Sequence, residues 1–187
     1  MRRSPANIII LLYNMNMKVL YNNSEIKSGV FMTPAETHVE PKIEYDPKPS
    51  TLYTLIMHDP DAPVGNLLHW IVVNIADNNI NNGDILLEYK GPAPPKGSGS
   101  HRYMFLLLEQ PEKITSKLDE RVMPMDNLYK KLNTKLQTVA SVYFTSKNSD
   151  GGKKRKRTKT SNNTRKTQRK HKKQGNNTRK IRKMRAL

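Results

Sequence analysis

Two aspartates, two histidines and a tyrosine supply the chemistry concentrated in the middle of this sequence. Asp59 and Asp61 stand in Asp59-Pro60-Asp61-Ala62-Pro63, where an apolar run ends in a proline-rich turn. His69 opens the next apolar run, and His101 opens a third after the loop from Gly91 to Ser100. A strand period of two puts His101 and Tyr103 on the same face. If the three runs are neighbouring strands, both carboxylates, both imidazoles and the phenol meet at one rim of a sheet. Imidazole N–H and phenol O–H groups would there suit a phosphate or sulfate head group. The carboxylates would orient the imidazoles and keep them charged.

Spacing alone leaves other readings open. An aspartate beside a proline is ordinary turn chemistry, and polar groups of this kind also stitch sheet rims together without binding anything. A Ser-His-Asp hydrolase needs an activated serine, yet Gly97-Ser98-Gly99 reads as a loop and no Gly-x-Ser-x-Gly elbow is present. Two histidines and a carboxylate could hold a metal, but the tight ligand spacing of a dedicated site is missing. The preferred reading is a non-catalytic anion pocket with no metal and no cofactor.

The elements that must position these groups are strands. Residues 52–57, 69–75 and 103–108 are short, rich in apolar, β-branched and aromatic side chains, and bounded by Pro, Gly, Asp or Asn. Their near-continuous apolarity predicts a sheet covered on both faces. Residues 18–21 before Asn22-Asn23-Ser24, and the alternating stretch 42–45, predict further strands. One helix is expected, capped by Asp126 and carrying Leu128, Leu132 and Leu136 as its apolar stripe. Residues 139–144 return to strand character. The expected fold is mainly β.

The chain carries 33 Lys and Arg against 16 Asp and Glu, a formal net charge of +17, but the excess is local. Residues 153–187 hold 17 of the basic side chains and no acidic ones, so the rest of the chain is neutral. Three parts are expected: 1–17 as a leader or first strand, 18–147 as one domain, and 148–187 as a disordered basic tail. Met1-Arg2-Arg3 before Ile8-Ile9-Ile10-Leu11-Leu12-Tyr13 imitates a signal peptide. Its apolar stretch is short, however, and Asn14, Asn16 and Lys18 stand where small cleavage-site residues are wanted. No apolar run approaches the ~20 residues of a membrane helix, and no cysteine exists to form a disulfide. A soluble, monomeric protein of a reducing compartment is expected. Lys153-Lys154-Arg155-Lys156-Arg157 is a compact cluster of the nuclear-import type that would also suit a polyanion. Cytoplasmic residence, with nuclear entry through the tail, follows as an expectation; nucleic acid and anionic lipid are rival tail partners.

Residues 51–63 resemble the first signature of the phosphatidylethanolamine-binding family, which includes the Raf kinase inhibitor protein and the plant flowering regulators. Leu68-His69-Trp70-Ile71-Val72-Val73-Asn74-Ile75 resembles the strand that follows it. The run Pro94-Pro95-Lys96-Gly97 and the run His101-Arg102-Tyr103 resemble the second signature. Weaker similarity reaches back to residue 18 and forward to residue 146. The resemblance implies a large central antiparallel sheet, a smaller flanking sheet and few short helices. It also implies a small anion pocket formed by Asp59, Asp61, His69, Pro95, His101 and Tyr103, with a phosphate-bearing ligand or phospholipid head group and a kinase or other signalling partner. Three departures stand out: a short loop from Val64 to Leu68 that should open the rim, Leu67 where plant members carry Tyr or His, and Ala93 where Gly is common. The closing C-terminal helix of animal relatives has no counterpart. A regulator with an anion pocket is therefore expected; the alternatives are a scaffold whose basic tail does the work, and a protease inhibitor.

Overall fold

The three apolar runs of the sequence become the middle of one sheet. The computed structural model describes residues 15–148; the first part of the expected leader and the basic tail, Lys153 to Arg157 included, lie outside the described residues. The elements run β1 (Lys18–Tyr21), β2 (Ser24–Glu25), β3 (Val30–Phe31), β4 (Lys42–Glu44), β5 (Leu52–Asp59) and β6 (Leu67–Ile75). A 3₁₀ turn at Ile80–Asn82, β7 (Asp84–Leu87), β8 (His101–Gln110), α1 (Met125–Leu132) and β9 (Gln137–Ser146) complete them. The large sheet has six strands in the order β3-β9-β8-β5-β6-β7, antiparallel except where β3 runs parallel to β9. A three-stranded sheet, β2-β1-β4, flanks it. Asn22 and Asn23, both with φ in the left-handed region, close the β1–β2 hairpin over two residues.

Two apolar layers cover the large sheet, as a both-faces-buried pattern requires. On one face Tyr53, Leu55, Met57, Trp70, Val72, Tyr103, Phe105 and Phe144 pack against Val19, Tyr21, Ile43 and Tyr45 of the small sheet. On the other, Ile56, Leu68, Ile71, Val73 and Leu108 meet Ile114, Leu118, Met123, Leu128 and Leu132. Each fully buried aromatic or aliphatic side chain contributes roughly 1.5–3 kcal/mol. The packed region begins before residue 18: Met15 N donates to Val139 O at 2.9 Å, and Met17 is buried.

The helix differs from expectation at both ends. Its N-cap is Pro124, without a side-chain cap, and Asp126 lies in the first turn, where its charge suits the helix dipole. Asn133, at φ 52°, ends the helix in the left-handed conformation, so Leu136 lies beyond it while still packing on the same layer.

A buried amide network fixes the far end of the sheet from the histidines. Gln110 Oε1 accepts from Thr54 Oγ1 at 2.8 Å and from the Asn74 amide at 3.0 Å, while its Nε2 donates to Asn74 Oδ1. Asn74 itself sits at φ 60°, beside a register shift in the β5–β6 pairing, and its Nδ2 donates to Asp84 Oδ2 and Ile114 O. Replacing one member leaves the others buried without partners. Gln110→Leu is therefore expected to lower unfolding free energy in urea by about 2–3 kcal/mol. A loss below about 0.5 kcal/mol would show that the network is not a structural requirement.

Candidate functional site

Four of the six residues singled out in the sequence gather at the β5–β8 end of the large sheet. Asp59 is the last residue of β5 and His101 the first of β8, and antiparallel pairing brings those ends together. His101 Nδ1 stands 2.8 Å from Asp59 Oδ2, with both side chains no more than 2% exposed. His101 Nε2 is 2.8 Å from Ser98 Oγ, so both ring nitrogens are engaged. Tyr103 lies on the same face of β8, stacked on Phe144 and edge-on to the His69 ring at 5.1 Å. Burial, with the Asp59 charge second, pushes the Tyr103 phenol well above its ordinary value, so it stays a neutral O–H.

His69 reaches this group through an irregularity. In the β5–β6 pairing Met57 faces Trp70 while His58 faces Leu68, which makes His69 the extra residue of a β-bulge. Leu68 packs in one apolar layer and Trp70 in the other, an arrangement that strict alternation forbids. The bulge turns His69 toward Tyr103. His69 Nδ1 is 2.6 Å from Lys90 O, and Lys90 N donates back to His69 O at 2.9 Å. Arg121 Nη1 holds the carbonyls of Leu68 and His69 at 3.2 and 3.1 Å. His69 Nε2 is buried and has no hydrogen-bond partner.

The remaining two residues play different parts. Asp61 turns away, and both its oxygens take the Arg102 guanidinium at 2.7 and 2.8 Å while one also accepts the Arg102 amide. That side-chain hydrogen bonding holds the Asp61 carboxyl down at about 2. Asp61 thus fastens the turn to β8, and its amide donates to Asp59 Oδ1 at 2.9 Å, which helps to hold the buried carboxylate. Pro95 is exposed; its carbonyl accepts from the Ser98 amide and hydroxyl at 3.3 and 2.8 Å, the contacts that place Ser98 against His101. The expectation that carboxylates orient both imidazoles is corrected. Only His101 has a carboxylate partner; a backbone carbonyl orients His69, and burial lowers its affinity for a proton.

Several contributors were not singled out in the sequence. Ser98 precedes His101 by three residues inside a Gly-Ser-Gly loop, and that spacing was its only signal. His58 Nδ1 meets Asn66 Oδ1 at 2.6 Å, and Asn66 Nδ2 donates to Met123 O, clamping the short rim loop. Gly91 approaches the 37–38 backbone so closely that an added Cβ would lie 2.9 Å from Thr37 O, which fixes the start of the loop leading to His101. Among the described residues no cluster of three or more His, Cys, Asp or Glu could hold a metal. No helix among them is long and apolar enough to cross a membrane.

The family model for phosphatidylethanolamine-binding protein matches residues 17–146, the whole of the sheet system just described. The chain belongs to this family. It is 37% identical over 112 residues to the 26 kDa secreted antigen of Toxocara canis, covering 57% of this chain and 43% of that protein. It is 35% identical over 118 residues to protein MOTHER of FT and TFL1 homolog 2 of Oryza sativa subsp. japonica, covering 59% and 65%. The chain thus spans about half the length of curated relatives it matches. Among solved structures, carboxypeptidase Y inhibitor complexed with its cognate proteinase superposes with a TM-score of 0.63 at 26% identity, over 72% of this chain and 83% of that one. The phosphatidylethanolamine-binding protein from Plasmodium vivax gives 0.61 at 23% identity, over 71% and 85%, and shares the fold.

Two of the three buried histidines, His58 and His69, also make stability depend on pH. Desolvation lowers both His58 and His69 below the ordinary imidazole value of 6.5, so between their folded and unfolded values the unfolded chain binds more protons. Stability is fully present above pH 6.5 and is lost as the pH falls toward the depressed folded values. The slope is expected to approach about 1.4 kcal/mol per pH unit per histidine. Urea midpoints between pH 7.5 and 5 measure it, and His58→Gln should remove about half; a flat profile in the parent protein would contradict the neutral, buried assignment.

Proposed function

We propose that this chain is a non-catalytic binding protein whose pocket, formed by Asp59, His69, His101 and Tyr103, takes the phosphate of a small ligand or head group and thereby modulates a protein partner. The observation that carries this reading is a polar nitrogen left unpartnered in a buried place: His69 Nε2, beside Tyr103 and the fixed Asp59–His101 pair. Native proteins satisfy almost all such groups, so one left unpartnered beside this polar cluster favours a ligand there. Ser98, His101 and Asp59 are connected in the order of a hydrolase triad, but two features favour binding over hydrolysis. The Ser98 hydroxyl has the Pro95 carbonyl as a second acceptor, and the serine stands in a surface turn rather than at a strand-to-helix elbow.

A second reading, inhibition of a protease, is favoured by the likeness to carboxypeptidase Y inhibitor at 26% identity. One preparation addresses both. Phosphoethanolamine added to millimolar concentration should shift the ring signals of His69 and His101 in NMR, and His101→Gln, which breaks the contacts to Asp59 and Ser98 that position the site, should weaken binding about tenfold or more. Unmoved histidine signals, combined with inhibition of a carboxypeptidase by the same sample, would replace the pocket reading with the inhibitor reading.

The basic segment from Lys153 onward adds a separate polyanion-binding activity to this proposal, carried by its charge alone. Duplex DNA should bind the full chain in low salt and release it steeply as salt rises, and a chain ending at Ser149 should not bind. Equal binding by both chains would remove the tail from the function.

A further inference from the structure

His69 presents an acceptor, not a donor, to whatever enters the pocket. Its Nδ1 lies 2.6 Å from the Lys90 carbonyl oxygen, which can only accept, so the ring proton is on Nδ1. In that tautomer Nε2 offers a lone pair. It is also the one imidazole nitrogen of this group without a hydrogen-bond partner, because His101 is engaged on one side by Asp59 and on the other by Ser98. A fully ionised anion facing a lone pair is repelled rather than held.

Resting on the anion-pocket reading above, we propose that an anion binds here together with one proton shared with His69 Nε2, so that the pocket selects phosphomonoesters, which carry a P–OH, over phosphodiesters and other anions that have none. A monoester, with a second ionisation near pH ~6, delivers the proton itself. A diester or sulfate can bind only when the solvent supplies one. Charged and titratable groups from every side bear on this nitrogen. The Lys90 carbonyl and Asp59 at the end of β5 favour the proton; the charges of Lys90, three residues past β7, and of Arg121, from the segment before α1, oppose it; Tyr103 on β8 faces it as a neutral phenol. Burial is the largest influence and keeps the free site unprotonated at neutral pH. The proton is therefore taken up on binding and not already in place. The same asymmetry makes a phospholipid head group, a diester, a poorer ligand than the corresponding free monoester.

The test is calorimetry on the full chain with sulfate, phosphoethanolamine and glycerophosphoethanolamine, each in two buffers of different ionisation enthalpy. With sulfate and the diester, uptake of about one proton is expected, and affinity should fall about tenfold for each pH unit between 7 and 8. At pH 6 phosphoethanolamine should bind most tightly and take up about half a proton, because half of it arrives protonated. His69→Gln should make sulfate binding independent of pH. In case that variant does not fold, the imidazole nitrogen signals of the parent protein give a second readout, since Nε2 should gain a proton when sulfate is added. Sulfate binding without proton uptake and with constant affinity across pH overturns this inference and leaves the pocket intact. No binding of any of the three anions between pH 5.5 and 8 overturns the pocket reading and this inference together.

Discussion

The contact between Asp59 and His101 is the constraint on which the rest of this end of the sheet depends. A carboxylate 2% exposed is tolerated only because it is supplied with donors: the His101 ring and the Asp61 amide. Those donors in turn commit the chain around them. Holding His101 at the start of β8 fixes the turn after Pro95, since Ser98 must reach the other ring nitrogen. Holding the Asp61 amide fixes the direction in which the chain leaves β5, and Arg102 then locks it from outside. Removing the carboxylate would leave a buried imidazole without its anchor and two loops without a common reference.

The sheet around this pair has an unusual division of labour between its ends. At one end the polar groups are satisfied among themselves, as in the Gln110, Asn74 and Thr54 network with its closed set of amide contacts. At the other, His69 Nε2, Trp70 Nε1 and Ser146 Oγ are buried without partners. The same strands carry both ends, so rigidity supplied by the first orders the second. Arg121 adds a tie across the back, its guanidinium reaching the carbonyls of Leu68, His69 and Glu88 from a segment with no regular structure.

Much of this was legible in the sequence, for physical reasons that can be named. The strands β5, β6, β8 and β9 were visible because a doubly covered sheet needs uninterrupted apolar runs, and those runs stop where Pro, Gly and Asp occur. The ordered signatures brought Asp59, His69, His101 and Tyr103 forward as a set. Asp61 could not be told apart from Asp59, because a period of two puts both on one side and that period lapses once Pro60 turns the chain. Ser98 was hidden among loop residues whose spacing carries no periodicity. The helix cap failed because Asp126 is a competent cap in isolation, whereas Pro124 starts the helix two residues earlier. The tautomer of His69 depends on a carbonyl 21 residues away, which no local pattern reveals.

The bulge at His69 has a consequence for how β6 should be read. It acts as a frame shift within a strand: residues before it and residues after it obey the same alternation, but with opposite assignment of faces. A substitution at Leu67 or Leu68 and one at Trp70 or Ile71 must therefore be judged in two different frames, although they stand within five consecutive positions. Deleting a single residue there would restore regular pairing to the sheet and, in the same stroke, rotate the His69 imidazole away from its neighbours.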